Sequence, residues 1–282
     1  MRTKLALLIL ALVGSVALAQ GMLNPFDAGL GVRAMGFGGA STALAEGTES
    51  LLANPAGLGW TSGMRADSSL SSILGIYSVT WLSAAMPNLA GGLAYLGVGG
   101  IVDPEGNPLR FSQFALAIAA GLDLGPFRIV PFPAAAGVGI KYASVHAADE
   151  SGSGFALDLG FLARTTTPFG EGRLGIAIQE LGFGPTIGEE GDGWSTAFAL
   201  GLGLAHPLGL TAALDLTSEY TAFGVGWSWA RLVEVRGGLR IQGVLQWAFG
   251  LGVEWGMFAL DYALLTHPVL SASHRFGFGV KF

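Results

Sequence analysis

The feature that most constrains this chain is an alternation of large apolar residues with small or polar ones, which recurs from about residue 64 onward. In residues 245–255, one parity holds Leu, Trp, Phe, Leu, Val and Trp, and the other holds Gln, Ala, Gly, Gly and Glu. A period of two places these sets on opposite faces of a β-strand. The pattern recurs in five further segments: 155–161, 198–205, 223–229, 258–264 and 273–282. Counting every comparable segment gives about 14 strands, so we predict an all-β fold.

The composition of the two strand faces indicates what surrounds them. If the apolar face filled the core of a soluble barrel or sandwich, the other face would meet water and should be rich in Lys, Glu, Ser and Thr. That face is mostly Gly and Ala, with isolated charges. Only 12% of all residues are charged, against roughly 25% in soluble domains, and the mean hydropathy is +0.55. We therefore favour an apolar exterior in lipid around a narrow lumen over a soluble fold.

A closed barrel reconciles this apolar composition with the absence of long apolar runs. After residue 19, polar and proline residues interrupt every run before it reaches about 18 apolar residues, as the sequence shows. The remaining structure that satisfies its backbone in lipid is the closed β-barrel. We predict a transmembrane antiparallel barrel over residues 61–282, with an even strand number as in single-chain bacterial barrels. Short connections are expected at 86–92, 165–173 and 206–209, and longer ones on the other side of the membrane at 101–110 and 182–194.

Residues 1–19 have the organisation of a secretory signal peptide. Arg2 and Lys4 precede an apolar run from Leu5, and a small-x-small cleavage site follows at residues 17–19. The run is short for a bilayer span, and no stop-transfer flank follows it. Export combined with a barrel predicts a place in the outer membrane of a Gram-negative-type bacterium.

Charge and cysteine content exclude several classes of partner. Removal of residues 1–19 takes away two of the 14 basic and none of the 20 acidic residues, which leaves a net charge of −8. This balance argues against nucleic acid as a partner. Because the chain has no cysteine, lipoprotein anchoring is not indicated, and neither disulfides nor thiolate metal ligands are possible.

Residues 20–60 do not follow the strand pattern. Three glycines permit close backbone approach or positive φ: Gly36, Gly38 and Gly39. They lack the βαβ context of a dinucleotide-binding fingerprint. Thr48 is the expected cap of a short helix that Pro55 ends. This segment cannot span the membrane, so we expect it in the lumen or at the periplasmic mouth.

The same block carries a family resemblance. The stretch GVRAMGFGGASTALAEGTESLLANPAGL at 31–58 resembles the opening of FadL-like outer-membrane proteins, including the PorV/PorQ relatives. LDYAL at 260–264, followed by SHRFGFGVKF, resembles the PorV/PorQ ending. The resemblance implies a 14-stranded barrel whose N-terminal segment, with Arg33, Asn54 and Pro55, forms a plug past which hydrophobic compounds move. The chain is shorter than the fatty acid transporters, so it implies neither their long extracellular loops nor their substrate-collecting groove.

Aromatic residues suggest two further assignments. Trp247 and Trp255 lie eight residues apart on one strand face and are expected to mark the two edges of a lipid-facing band, with Trp227 and Trp229 in the same aromatic belt. The last residue, Phe282, resembles the aromatic signal by which the outer-membrane assembly machinery recognises barrels. A final strand that simply closes on the first is compatible with the same residue.

The charges on the small-residue face are the main polar constellation. Ten residues belong to it: Lys141, Asp158, Arg173, Asp215, Glu234, Arg236, Arg240, Glu254, Asp261 and Arg275. For any one of them, pairing across strands or with the plug is favoured over contact with a ligand. In a ligand path, Arg236 and Arg240 are the expected contacts of a fatty carboxylate.

No catalytic or metal-binding motif emerges. The four histidines have no ligand spacing, and no G-x-S-x-G elbow is present. Glu189, Glu190 and Asp192 are more typical of a solvated loop than of a calcium site. We therefore expect neither enzymatic activity nor a cofactor.

The sequence leaves three functions open. The preferred one is passive uptake of hydrophobic compounds, with long-chain fatty acids as one candidate, past the plug. The second is a PorV-like adaptor or shuttle for protein secretion that docks secreted cargo or a secretion machine, although short loops offer little docking surface. The third is a sealed structural barrel. The expected partners are outer-membrane lipid, the barrel assembly machinery and a hydrophobic small molecule, with a protein partner only in the PorV-like case.

Overall fold

The computed structural model describes residues 24–28, 31–98, 111–147, 150–186 and 194–282. The predicted signal peptide lies outside these residues, as do the connection at 101–110 and the acidic loop of Glu189, Glu190 and Asp192.

The chain folds into a closed antiparallel barrel of 14 strands in sequence order, in which β14 pairs with β1. This confirms the predicted fold class, strand number and closure. The strands are β1 Arg65–Ile73, β2 Tyr77–Met86, β3 Leu89–Val98, β4 Phe111–Asp123, β5 Ala134–Ala147, β6 Glu150–Thr167, β7 Gly170–Phe183, β8 Ala197–Ala205, β9 Leu210–Thr217, β10 Thr221–Trp229, β11 Val233–Gln242, β12 Val244–Trp255, β13 Phe258–Leu265 and β14 Ser273–Lys281.

The alternation in the sequence becomes an outward and an inward face. On β12, Phe249 and Leu251 are exposed on the outside, whereas Ala248 and Gly250 between them are buried in the lumen. Large apolar side chains are exposed in this way on all 14 strands. The polar first residues of β1 and the centre of β9 lack them. So large an exposed apolar surface requires an apolar environment around the barrel.

The two ends of the barrel carry different connections. One end, called the terminal end below, holds the start of β1, the end of β14 and the connections at 87–88, 124–133, 168–169, 206–209, 230–232 and 256–257. The connections predicted to be short all lie there, and the strands joined through 101–110 and 182–194 meet at the opposite end. The division by length is incomplete, because Gly243 alone joins β11 to β12 at the opposite end.

The N-terminal segment lies inside the barrel, where most of its side chains are buried. Its elements are α1 Pro25–Ala28, α2 Val32–Gly36, a 3-10 helix Gly47–Glu49, α3 Ser50–Ala53 and a 3-10 helix Pro55–Trp60. We call its described residues, 24–28 and 31–60, the plug. Among the described residues, none of the helices is long and apolar enough for a membrane span.

The predicted helix cap in the plug is wrong. Thr48 lies within a 3-10 helix, and its hydroxyl donates to Asp67 of β1 instead of capping α3. The residue before α3 is Glu49, which makes no side-chain cap. Pro55 ends α3 as expected but also begins the next 3-10 helix, which Asn54 caps by accepting from the Ala56 amide at 3.1 Å. A wall carboxylate thus outcompetes the local cap for the threonine hydroxyl.

Inward-facing glycines let the plug backbone touch the wall. A Cβ on Gly137 of β5 would overlap the carbonyl of Pro55, and one on Gly238 of β11 would meet the backbone of Phe37 and Gly38. Six further wall glycines face plug atoms in the same way: Gly121, Gly160, Gly175, Gly201, Gly224 and Gly250. The small lumenal residues therefore provide the space that the plug fills.

Candidate functional site

The candidate site is the interface between the plug and the inward face of the barrel. One part of this face, which we call the apolar wall, consists of Trp81, Ala85, Ala90, Ala94, Ala115, Ala117 and Ala119 on β2, β3 and β4. It packs against Phe26, Leu52 and Leu58 of the plug. The remaining inward face, from β6 through β14 to β1, also has alanines that pack against plug residues such as Phe37 and Met35, but it carries most of the inward charges and is called the polar wall.

Asp215 of the polar wall holds the glycine-rich turn of the plug. Its carboxylate accepts hydrogen bonds from the Ser41 amide at 2.9 Å, the Thr42 amide at 2.9 Å and the Thr42 hydroxyl at 2.7 Å. Asp215 is fully buried. A buried carboxylate with three donors fixes the position of the backbone that supplies them.

A chain of ion pairs links helix α2 to β11 and β13. Arg33 donates to both oxygens of Glu234 at 3.0 Å, and Glu234 also accepts from Arg236 at 2.8 Å. Arg236 in turn reaches Asp261 at 2.5 Å. The sequence predicted that these three charges face the lumen, and the structure brings them together with Arg33. Beside Arg236, Gly36 of α2 lies against the Cα of Gly250.

Two plug residues at this set of ion pairs, Arg33 and Glu49, have shifted pKa values. Burial lowers the pKa of Arg33, but Glu234 and Glu49 more than offset it, so the pKa of the guanidinium lies above its ordinary value. Burial raises the pKa of Glu49 against the opposing effect of Arg33. The Glu49 carboxylate also accepts from the Ala34 amide at 3.2 Å, where it satisfies an amide in the first turn of α2.

Arg240 lies over an aromatic ring. Its guanidinium carbon is 3.9 Å from the centre of the Tyr220 ring, and the Tyr220 hydroxyl donates to the carbonyl of Gly39 at 3.3 Å. Gly38 has a φ of 74° and lies against the Leu239 carbonyl. The predicted plug glycines therefore sit where the plug turns closely along β10 and β11.

Asn54 is the polar centre of the plug. Its amide nitrogen lies at hydrogen-bond distance from the carbonyls of Thr42, Phe161 and Ile176, at 3.1, 3.2 and 3.3 Å. The last two carbonyls belong to β6 and β7, so Asn54 ties the plug to both strands. Next to it, Pro55 lies against Gly137.

A buried lysine organises the strands near the opposite end. Lys141 of β5, whose side chain is 2% exposed, pairs with Asp158 at 2.8 Å and Glu180 at 3.4 Å, and lies 5.0 Å from the centre of the Phe26 ring. Glu180 has a φ of 59° at a bulge in β7 and accepts from Asn24 of the plug at 2.6 Å. In the nearby turn between β9 and β10, burial raises the pKa of Glu219, and Glu180 adds to the effect.

The remaining predicted charges lie toward the terminal end or on β14. Arg173 pairs with Glu46 of the plug at 2.7 Å. Glu254 pairs with Lys281 and, at 3.6 Å, with Arg65. Arg275 is buried on the inward face of β14.

A cavity of about 840 Å³, which we call the vestibule, lies between the plug and the terminal end. Its lining includes Arg33, Glu49, Arg65, Asp67, Trp81 and Phe282. The charges around it alternate in sign and pair with one another. Paired charges and apolar side chains such as Trp81 and Phe282 therefore share this lining.

The predicted aromatic residues are placed on the outside. Trp227, Trp229 and Trp255 are exposed near the terminal end, and Trp247 is exposed toward the opposite end. The amide of Phe282 donates to the Met64 carbonyl at 2.9 Å, so the last residue is fixed beside the start of β1.

Several site residues escaped the sequence analysis. Leu52 and Leu58 resemble any apolar helix residue in the sequence. Gln179 donates to the carbonyls of Leu52 and Ala53. The sequence did contain a sign of this residue, because two consecutive polar residues, Gln179 and Glu180, interrupt the alternation of β7 as a bulge does. Asp67 was also detectable as an inward charge on β1.

Comparison with known proteins shows the fold. No protein-family model matches the chain, and no curated protein matches it. Among solved structures, the CymD monoaromatic hydrocarbon channel superposes with a TM-score of 0.60 at 13% identity, over 90% of this chain and 97% of that one. The KdgM porin reaches a TM-score of 0.40 at 6% identity, over 77% of this chain and 99% of that one. CdiB from Acinetobacter baumannii reaches 0.38 at 10% identity, over 78% and 60%. Only the first likeness is strong enough to show that the architecture is shared.

Proposed function

We propose that this chain is an outer-membrane barrel through which small hydrophobic compounds diffuse passively past the plug. The exposed apolar side chains around the barrel support a place in lipid, because a soluble protein rarely exposes so large an apolar surface. Five of the six connections at the terminal end have at most four residues, which favours an orientation in which this end faces the periplasm.

The observation that carries the proposal is the apolar wall. There the plug meets the barrel through alanines, Trp81 and leucine side chains. A hydrophobic solute can replace such contacts without leaving a buried polar group unpaired, whereas the same displacement at the polar wall would break ion pairs. The likeness of the fold to a protein described as a monoaromatic hydrocarbon channel agrees with this choice of solute.

Uncharged hydrocarbons fit the site better than long-chain fatty acids do. A carboxylate would need a cation beside the apolar wall, and the two arginines considered from the sequence are both on β11, away from β2–β4. Arg236 already pairs with Glu234 and Asp261, and Arg240 lies over Tyr220. The PorV/PorQ relationship and an adaptor role rest on the sequence resemblance alone.

The test is uptake in cells that retain a lipopolysaccharide outer leaflet, because hydrophobic compounds cross simple phospholipid bilayers unaided. A deletion strain, the complemented strain and the parent are given a labelled monoaromatic hydrocarbon or a labelled long-chain fatty acid. We expect slower hydrocarbon uptake in the deletion strain, restored by complementation. Unchanged uptake of both compounds would reject the transport proposal.

A sealed structural barrel is the second candidate, and the contact between wall glycines and the plug favours it. Eight glycines on eight strands allow the plug backbone to close against the wall. Planar-bilayer conductance of the chain with and without residues 20–60 separates the candidates. Conductance only without the plug, together with unaffected uptake in cells, would support the sealed barrel.

A further inference from the structure

Leu52 of the plug borders cavities on both sides of the plug. On the terminal side it lines the vestibule, together with Trp81. On the other side it lines a smaller cavity of about 20 Å³, together with Phe26, Lys141, Gln179 and Glu180. The smaller cavity has room for about one water molecule. Leu52 therefore borders both spaces.

The two cavities lie toward opposite ends of the barrel. The vestibule reaches His206 and Phe282 at the terminal end. The smaller cavity reaches Ala197, the first residue of β8, and Glu219 in the turn between β9 and β10, both toward the opposite end. Among the described residues, Leu52 is the one residue that belongs to both linings.

Backbone and side chain of Leu52 are held in different ways. The Leu52 carbonyl accepts a hydrogen bond from Gln179 of β7, which anchors the backbone. The side chain, 3% exposed, packs with Phe26 and the apolar wall. A change of rotamer would therefore move the side chain without breaking a hydrogen bond. Displacing the plug at Asp215 or Asn54 would instead leave buried donors and acceptors unpaired.

We propose that Leu52 is the gate and size filter of the passage, and that small uncharged apolar compounds cross the plug between Trp81 and Phe26 when its side chain moves. This inference rests on the proposed function and adds the place of the passage and the residue that limits it. A branched side chain at this point admits flat or slender solutes more readily than bulky ones, because close-packed surroundings yield little space.

The first test compares Leu52→Ala with Leu51→Ala. Leu51 is a matched control, because it lies in the same helix, is 2% exposed and belongs to the same apolar cluster, but borders neither cavity. In lipopolysaccharide-bearing cells, we expect Leu52→Ala to raise uptake of a monoaromatic hydrocarbon severalfold and to admit a bicyclic one, with Leu51→Ala near wild type. Equal effects of both variants, or no effect of either, would overturn the proposal.

The second test uses the absence of cysteine from the chain. Leu52→Cys and Leu51→Cys variants of the full chain are reconstituted in vesicles, and a small thiol reagent is added outside or inside. We expect the cysteine at 52 to react from either side and the one at 51 to react much more slowly. Labelling of 52 from one side only would contradict its place between two spaces.

The outcomes separate this inference from the proposed function. If the wild-type chain carries no hydrocarbon, yet the cysteine at 52 reacts from both sides, the transport proposal fails and the partition by Leu52 stands. If the wild-type chain carries hydrocarbon and Leu52→Ala behaves as Leu51→Ala does, the transport proposal stands and the gate is located elsewhere.

Discussion

The polar wall and the apolar wall hold the same plug by different physics. At the polar wall, Asp215 accepts from the plug backbone and Glu234 pairs with Arg33 of the plug. Asn54 of the plug donates to wall carbonyls on β6 and β7. At the apolar wall, Leu52 and Leu58 pack against alanines and Trp81. Directional contacts fix one position of the plug, whereas apolar packing tolerates exchange of one apolar neighbour for another.

The difference shows where a passage can open at least cost. Breaking a buried ion pair leaves an uncompensated charge, at roughly 3–5 kcal/mol. Separating apolar surfaces costs about 25 cal/mol for each Å² exposed to water, but nearly nothing when an apolar solute covers the surface instead. If hydrophobic solutes pass the plug, as proposed, the contact at the apolar wall is the one that opens at lower cost.

The largest effect is expected from removing a charge of the polar wall. Arg236→Met leaves Asp261 without its arginine and Glu234 with Arg33 alone. We expect the free energy of unfolding to fall by about 3–5 kcal/mol, measured by urea titration in detergent micelles and by the temperature at which the folded band disappears on gels.

The control for this variant is Arg231→Met. Arg231 lines the vestibule but is exposed in the turn between β10 and β11. Arg231→Met should leave the free energy of unfolding within about 0.5 kcal/mol of wild type. If Arg236→Met cost no more than Arg231→Met, the buried wall charges that support the pairing of Glu234 with Arg33 of the plug would contribute little, and the contrast between the walls would weaken.

The next effect tests the apolar wall. Leu58 is fully buried in the 3-10 helix Pro55–Trp60 and packs in the apolar cluster. Leu58→Ala should cost about 2–5 kcal/mol through lost burial and an incompletely filled cavity. The exposed Leu208, in a turn at the terminal end, provides the comparison as Leu208→Ala. A loss for Leu58→Ala as small as that of Leu208→Ala would mean that the apolar wall contributes little to plug docking.

A smaller effect is expected where plug backbone and wall touch. Gly137→Ala would drive a Cβ into the Pro55 carbonyl, whereas Gly139→Ala, two residues along the same inward face, meets only ordinary contacts, the nearest at 3.4 Å. We expect Gly137→Ala to cost about 1–3 kcal/mol by overpacking and to make the plug more accessible to added protease. Identical behaviour of the two variants would show that the plug does not need this close approach.

The fold was predictable because it depends on local signals. The alternation along β12 assigns each residue to one face without knowledge of any partner, and the turn residues separate successive strands. Strand number and closure followed from these signals together with the requirement that no strand edge be left in lipid. The structure confirmed both.

The plug contacts were less predictable because they join residues far apart in the chain. Parity indicated that Asp215 and Arg236 face the lumen, but it could not show that the first binds the turn at Ser41 and the second shares Glu234 with Arg33. Such pairs depend on the height at which the plug sits in the barrel. Thr48 shows the same limit, since its local sequence indicates a cap while a wall carboxylate provides a better partner.

The smallest effect concerns the edge of the polar wall, where solvent reaches the contact. Glu46 pairs with Arg173 at 2.7 Å, but the Glu46 side chain is 53% exposed. Glu46→Gln should therefore cost less than about 1 kcal/mol, and the difference from wild type should shrink as salt rises from 0.05 to roughly 0.5 M. A large, salt-independent loss of unfolding free energy in the same urea titration would show that this pair behaves as a buried one. The polar wall would then bind the plug firmly at the vestibule as well.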